Sequence, residues 1–309
     1  MLPVSGVTLD AAYANAAISA SQASPITAAA TRSGGHLRRG RDNTDMPAVS
    51  QALVEFANHH REPSAPGIEI IETPRFVIKL QPDFPIPGPN SVAYVRCGSD
   101  YADQVIAEVR SIVAPHHLPI MWTLDPETQP QNFAEYLAAR NIRPDPRGAD
   151  VAVMVLPVEA SIASPLIDGL EMHDALADPD AFRKADAVNS EAFQSRPRDA
   201  GALERRRANQ VAAGNQRVLL ATVDGEPAGS AGITLFPPAG AIINGGAVRP
   251  RFRGLGVYRA MVAARLAMAR EAKVEGLAVW GGDMSAPILV RLGFQTVGWR
   301  RFYLDESTL

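Results

Sequence analysis

The chain has 309 residues, 46% of them hydrophobic and 20% charged, and a formal net charge of −3 at pH 7. These values fit a globular protein of one large or two small domains and give no general pull toward nucleic acid or an anionic membrane. No apolar run reaches transmembrane length, and a single cysteine, Cys97, excludes an internal disulfide and suits a reducing cytoplasm.

Residues 1–45 are rich in Ala, Ser and Thr, with one basic cluster at Arg38-Arg39-Gly40-Arg41. No basic segment precedes their apolar residues, so a secretory signal is not expected. Such a stretch buries little surface and is expected to be disordered. The folded unit is expected to begin between Met46 and Pro66, with Met46 read as the true start. A helix over Ala48 to His60 comes first. Short strands follow at Ile68–Ile71 and Phe76–Leu80, and a longer one at Ser91–Cys97. Cys97 closes that strand and reads as a small apolar core residue rather than a nucleophile. Tyr101 to Val113 fits a helix, with Val105, Val109 and Ile112 on one face. A strand at Pro119–Leu124, a helix at Pro130–Arg140 and a strand at Asp150–Leu156 complete the first half. The histidine pairs His59-His60 and His116-His117 share no metal-ligand spacing, so no metal is expected.

Val158 to Leu166 reads as a linker. Beyond it, a helix ends near Glu191, and Arg205-Arg206-Arg207 is expected on a solvated helix face. Two strands, Asn215–Asp224 and Glu226–Phe236, flank the turn at Asp224-Gly225. Ala241 to Val248 is an apolar run interrupted by Gly245-Gly246, which reads either as a bulge or as simple irregularity. The run leads into Val248-Arg249-Pro250-Arg251-Phe252-Arg253-Gly254-Leu255-Gly256-Val257 and then a helix over Tyr258 to Lys273. Strand, basic glycine turn, helix is an order that makes an anion site. The first helical turn carries unpaired N–H groups and a partial positive charge, and glycines let an anion approach the backbone. A pyrophosphate is the expected ligand. The dinucleotide fingerprint is absent, because no third glycine follows Gly256; a Walker loop is absent too. In the helix, Leu255, Tyr258, Val262, Leu266 and Ala269 form the expected core face, with Arg265 and Arg270 on its flanks. A strand at Gly276–Trp280 follows. A second helix opens at Asp283 or Ser285, carries Pro287 in its first turn and closes at Leu292-Gly293-Phe294. The last expected strand is Gln295–Leu304.

Arg251-x-x-Gly254-x-Gly256 after a strand, with Leu292-Gly293-Phe294 before the last one, resembles the GNAT N-acetyltransferase superfamily. The resemblance covers roughly Ile167 to Leu304. It implies an α/β (α+β) fold with a mixed, mainly antiparallel twisted sheet flanked by helices. It implies acetyl-CoA as cosubstrate, held by Val248, Arg251, Phe252, Arg253, Gly254, Leu255, Gly256 and Val257. It further implies transfer of the acetyl group, by direct attack, to a primary amine of a small molecule or protein, in the cytoplasm and without metal, nucleic acid or membrane; a homodimer stays open. Many family members place an acidic tyrosine where this chain has Leu289. Ser285 and Asp283 are weak candidates for the proton-transfer roles, and both also read as helix caps; Glu191 reads as a solvated acid. A non-catalytic acyl-CoA-binding module remains the alternative.

Leu137 to Ile142 can be laid over Leu289 to Phe294, with Asn141 in the place of Gly293. Residues 46–157 therefore read as a smaller, degenerate GNAT-like half before a linker at 158–166 and a complete domain at 167–309. The alternative is an unrelated α/β domain. Only Gly98-Ser99-Asp100 stands where the first half needs a phosphate loop, so coenzyme A is expected to bind the second half alone.

Overall fold

The structure, a computed structural model, describes residues 47–146, 148–192 and 198–308. The disorder expected for residues 1–45 lies outside them. The N-terminal half supplies β1 (Glu69–Glu72), β2 (Val77–Leu80), β3 (Ser91–Ala93), β4 (Ile120–Leu124), β5 (Arg143–Pro144) and β6 (Asp150–Pro157). Its helices are α1 (Gln51–His59), α2 (Ala102–Val113) and α3 (Phe133–Ala139). The C-terminal half supplies β7 (Leu170–Asp174), β8 (Gln216–Val223), β9 (Glu226–Phe236), β10 (Gly240–Val248), β11 (Gly276–Gly281) and β12 (Gln295–Asp305). Its helices are α4 (Pro179–Ala192), α5 (Ala200–Ala213), α6 (Val257–Glu271) and α7 (Ala286–Arg291).

All these strands join one sheet in the order β1-β2-β3-β4-β12-β6-β11-β10-β9-β8-β7, with β5 pairing beside β12. Only β3–β4 and β10–β11 pair in parallel. The two halves exchange strands. β6 lies antiparallel to β11, from Gly276↔Pro157 to Gly281↔Ala152. On its other side β6 pairs with β12, and β12 runs on to pair with β4 from Arg301↔Leu124 to Asp305↔Ile120. Parting the halves means breaking these ladders, and each exposed backbone group that loses its partner costs free energy. β4 is buried at every residue and β6 at nearly every one. A strand covered on both faces reads as a continuous apolar run rather than an alternating one.

The repeated hairpin corners match atom for atom. Asn141 takes the left-handed conformation at φ 62° and Gly293 at φ 95°. Asn141 N donates to Ala138 O and Ile142 N to Leu137 O; Gly293 N donates to Val290 O and Phe294 N to Leu289 O. Asparagine is the residue after glycine that best tolerates this helix end. Leu137, Ile142, Leu289 and Phe294 all turn inward and are buried.

Helices cover both faces. α6 and α7 bury Val262, Leu266, Ala269 and Leu289 against Ile243, Val279 and Met154. On the opposite face α1 buries Leu53 and Phe56 against Val153, Val155 and Ala278. α4 packs Phe182, Ala185 and Val188 beside Leu220 and Ala247 on the same side. Four sequence expectations are corrected. β3 ends at Ala93, because Tyr94 turns left-handed at φ 55° and donates its hydroxyl to His60 O. Leu255 is 51% exposed, because the helix starts two residues after it. Arg265 is not on a flank but buried at 1% exposure. β5 and β7 were not expected; each is a short or half-exposed edge segment with no long apolar run.

Candidate active site

β10 carries a break in register between Asn244 and Ala247, where Gly245 and Gly246 stand outside the β9 ladder and Gly245 has φ 59°. It is a bulge, one of the two readings the sequence allowed. The bulge reverses the strand's facing. Ile242 packs on the α1 face, yet five residues on Ala247 packs on the α4 face. Without the insertion an odd separation would put them on opposite faces. On the other side, β10 pairs with β11 only at Ala241↔Leu277 and Ile242↔Ala278, after which the strands separate. The sheet therefore opens beside the bulge, and the backbone of residues 243–248 has no strand partner on that edge.

Beyond the opening, Pro250–Phe252 makes one 3-10 turn and α6 begins after Gly256. No acceptor among the described residues takes the N–H groups of residues 254–259. The unpaired donors and the helix dipole point the same way, so an anion placed there meets several N–H groups at once. A Cβ built on Gly254, at φ 81°, would meet nothing within 4 Å, so its conformation rather than crowding calls for glycine. A Cβ on Gly256, at φ 94°, would lie 2.8 Å from Pro165 Cγ of the expected linker.

The side chains of the expected loop divide. Val257 is buried, and Val248 and Phe252 pack against that same core, so only their backbones face the loop. Arg253 Nε donates to Val248 O at 3.2 Å and braces the turn. Arg251 is exposed and pairs with Glu226 at 2.6 Å. Glu191, read from the sequence as a solvated acid, is exposed and pairs with Arg249 at 2.9 Å. Leu289, at the family's tyrosine position, is 0% exposed. Asp283 is exposed, and Ser285 Oγ donates to Gly282 O at 3.3 Å. Neither borders the cavities at the bulge. Cys97 stays a half-buried thiol whose pKa burial raises against the opposing charge of Arg75, which agrees with the core reading.

A Leu289→Tyr variant tests whether that position can take up an acid role. Leu289 Cδ1 already lies 3.2 Å from where a Cβ on Gly281 would stand. We expect a loss of about 1–3 kcal/mol from overpacking and no gain in turnover; denaturant midpoints and acetyl-transfer rates read both, and a faster enzyme would contradict the assignment.

On the α1 face, next to the bulge, lies a cavity of about 420 Å3 between the halves. The C-terminal half contributes Gly245, Trp280 and Arg206; the N-terminal half contributes Phe84, Tyr94 and Asp125. Sequence reading missed this wall, because it joins residues more than a hundred positions apart. Arg205-Arg206-Arg207 splits three ways: Arg205 reaches Asp83 across the halves at 2.9 Å, Arg207 pairs with Glu204, and Arg206 turns to the cavity. The loop at Phe236 to Ala241 packs beside α1: the rings of Phe236 and His60 lie tilted with centroids 4.1 Å apart, and Gly240 lies against Phe56. Burial lowers the pKa of His60 against the opposing charge of Glu62. Among the described residues there is no group of three His, Cys, Asp or Glu that could hold a metal ion. No helix among them is long and apolar enough to cross a membrane.

Comparison with known proteins agrees with this geometry. The model of the acetyltransferase (GNAT) family matches residues 182–294. No curated protein matches the chain. Many solved structures share the fold, and three of them illustrate it. A GCN5-related N-acetyltransferase from Kribbella flavida has TM-score 0.56 at 15% identity, covering 77% of this chain and 90% of its own. A conserved protein of unknown function from Staphylococcus epidermidis has TM-score 0.60 at 16% identity, covering 83% and 99%. A tandem GNAT protein from the clavulanic acid biosynthesis pathway has TM-score 0.54 at 15% identity, covering 85% and 90%. At these identities the likeness is one of fold. With a bulged central strand that parts from its neighbour, a glycine turn of free N–H groups and a matching family model, residues 182–294 form a domain of the acetyltransferase (GNAT) family.

Proposed function

We propose that this protein is an acetyl-CoA-dependent N-acetyltransferase that acts on a primary amine, with its cosubstrate in the C-terminal half. The observation that carries the reading is the unpaired run of N–H groups at residues 254–259, set directly beyond the opening between β10 and β11. Residues 254–259 would grip the pyrophosphate through the backbone, with Val248, Arg251, Phe252, Arg253 and Val257 shaping the turn around it. The free edge of β10 would hold the chain that leads to the thioester. Bound there, acetyl-CoA supplies an activated acetyl group: the amine nitrogen bonds to the carbonyl carbon, the C–S bond breaks, sulfur leaves with the electron pair and the amine gives up a proton. The protein's part is to hold the two reactants side by side and to present backbone N–H groups to the carbonyl oxygen. A thiol pKa of about 8.5 makes the thiolate a tolerable leaving group, so a buried Leu289 in place of an acid is no bar to the reaction.

Ser285 and Asp283 remain weak candidates for moving the proton, and water in the cavity is the competing carrier. The N-terminal half has no corresponding glycine turn, so one coenzyme A binds per chain. The reading places the enzyme in the cytoplasm and needs no metal, nucleic acid, membrane or second copy of the chain. A non-catalytic acyl-CoA-binding module is the second reading, favoured by the buried Leu289. Calorimetric titration with acetyl-CoA, followed by thiol release with a panel of amines, separates the two. One site with amine-dependent release supports the enzyme; one site without release with any amine supports the binding module; no binding sinks both.

A further inference from the structure

Two arginines stand where the cavity between the halves meets the bulge. Arg206 of α5 borders the 420 Å3 cavity and also a pocket of about 60 Å3 that it shares with Asn189 and Gly245. Arg198, just before α5, borders the larger space. Both guanidinium groups lie over the ring of Phe84, at 4.4 and 4.6 Å from its centroid. Both pair with Asp186, and with the same oxygen, Oδ1. Two cations thus share one buried carboxylate, and among the described residues no second acid pairs with either. Burial lowers the pKa of Arg198 to about 9, with the charge of Arg206 adding to the drop, and lowers that of Arg206 to about 10. A partly buried charge in this position is stabilised by a second anion.

Of the other cations on the wall, Lys79 pairs with Glu62 and Arg61 with Glu72. Arg300 instead donates to the backbone carbonyls of Asn58 and Trp299. At the Arg198–Arg206 end two guanidinium groups converge on a single carboxylate.

Beside it lies an acceptor with nothing to accept. Asn189 Nδ2 donates to Ala185 O and Ser230 Oγ, which fixes the other end of the amide as its oxygen. That oxygen is buried and has no partner among the described residues. An N–H donor arriving at the bulge would satisfy it.

We propose that the acceptor is a small amino-carboxylate, with its carboxylate against Arg198 and Arg206 and its amine toward Asn189 Oδ1 beside Gly245. Guanidinium forks match a carboxylate in two parallel bonds, and the ring of Phe84 holds the forks side by side. Phe84 comes from the N-terminal half, so that half sets acceptor choice although it binds no coenzyme. The proposal rests on the acetyltransferase reading above and selects its acceptor.

The test uses the full chain with acetyl-CoA and matched acceptor pairs: free amino acids, their methyl esters, the corresponding plain amines and aminoalkyl phosphates. Acetyl-CoA affinity is measured separately by calorimetry. We expect kcat/KM for the carboxylates to exceed that for their esters and plain amines by roughly ten- to a hundredfold, the loss of a charge-assisted bond. Arg206→Met should bring that ratio close to one while the Kd for acetyl-CoA stays unchanged. Phe84→Leu, in the other half, should lower the ratio in the same direction and serves if Arg206→Met does not fold. Equal rates for esters and acids, a preference for phosphates, no turnover of any carboxylate, or an unchanged ratio in both variants would each overturn the proposal. Failure to bind acetyl-CoA would instead overturn the acetyltransferase reading beneath it.

Discussion

Gly254→Ala is expected to abolish tight acetyl-CoA binding in a protein that still folds. Gly254 has φ 81° and nothing within 4 Å of a built Cβ, so the fold bears only the conformational cost of about 1–2 kcal/mol. The added methyl would stand where an anion approaches the N–H groups of residues 254–259. Each charge-assisted bond lost costs about 1.5–3 kcal/mol, so the Kd should rise by more than about a hundredfold when two are lost. Gly256→Val should do as much to binding but also weaken the fold, because its Cβ would press on Pro165 Cγ at 2.8 Å. Arg253→Ala frees Val248 O and should cost about 1–3 kcal/mol of affinity by loosening the turn. Arg251→Ala should cost less than about 1 kcal/mol, since that side chain is exposed and already paired with Glu226. Calorimetry on folded variants measures all four. An unchanged Kd in Gly254→Ala would remove the glycine turn from the cosubstrate site.

Arg265→Leu should lower the melting temperature by roughly 5–15 °C. Arg265 lies in the middle of α6 and is 1% exposed. Its Nη1 donates to Gly232 O at 3.3 Å and Asn244 O at 3.4 Å, the carbonyls on either side of the bulge's first residue pair. Its Nε donates to Met261 O within its own helix. Burial lowers its pKa, with Tyr258 opposing the shift. A leucine keeps the apolar packing but strips a donor from two part-buried carbonyls, at about 1–3 kcal/mol each. The bulge should close or shift as a result. Acetyl-transfer rate and acetyl-CoA affinity should then both fall, because the free edge of β10 that would hold the cosubstrate runs through the bulge. Differential scanning calorimetry with parallel kinetics reads this; a melting point within about 2 °C of the parent would show that the bulge stands without Arg265.

What the sequence determined by itself is local. The strand, glycine turn and helix from Ala241 to Lys273 were legible because hydrophobic period, glycine placement and a helix start all fall within about thirty residues. The corner at Leu137 to Ile142 was legible for the same reason: its hydrogen bonds close within five residues. The family could be reached from these segments alone. Tertiary structure decided the rest. Which strands β6 and β12 join depends on pairings between residues more than a hundred positions apart, and no periodicity records the partner of a strand. The fate of Arg265 was hidden because a helix-face pattern assigns charge to solvent, whereas here the carbonyls left over at a distant bulge draw a guanidinium inward. Arg206 was hidden among three consecutive arginines, which look alike in sequence. The ring of Phe84 and the carboxylate of Asp186, one from each half, single it out and turn it toward the cavity.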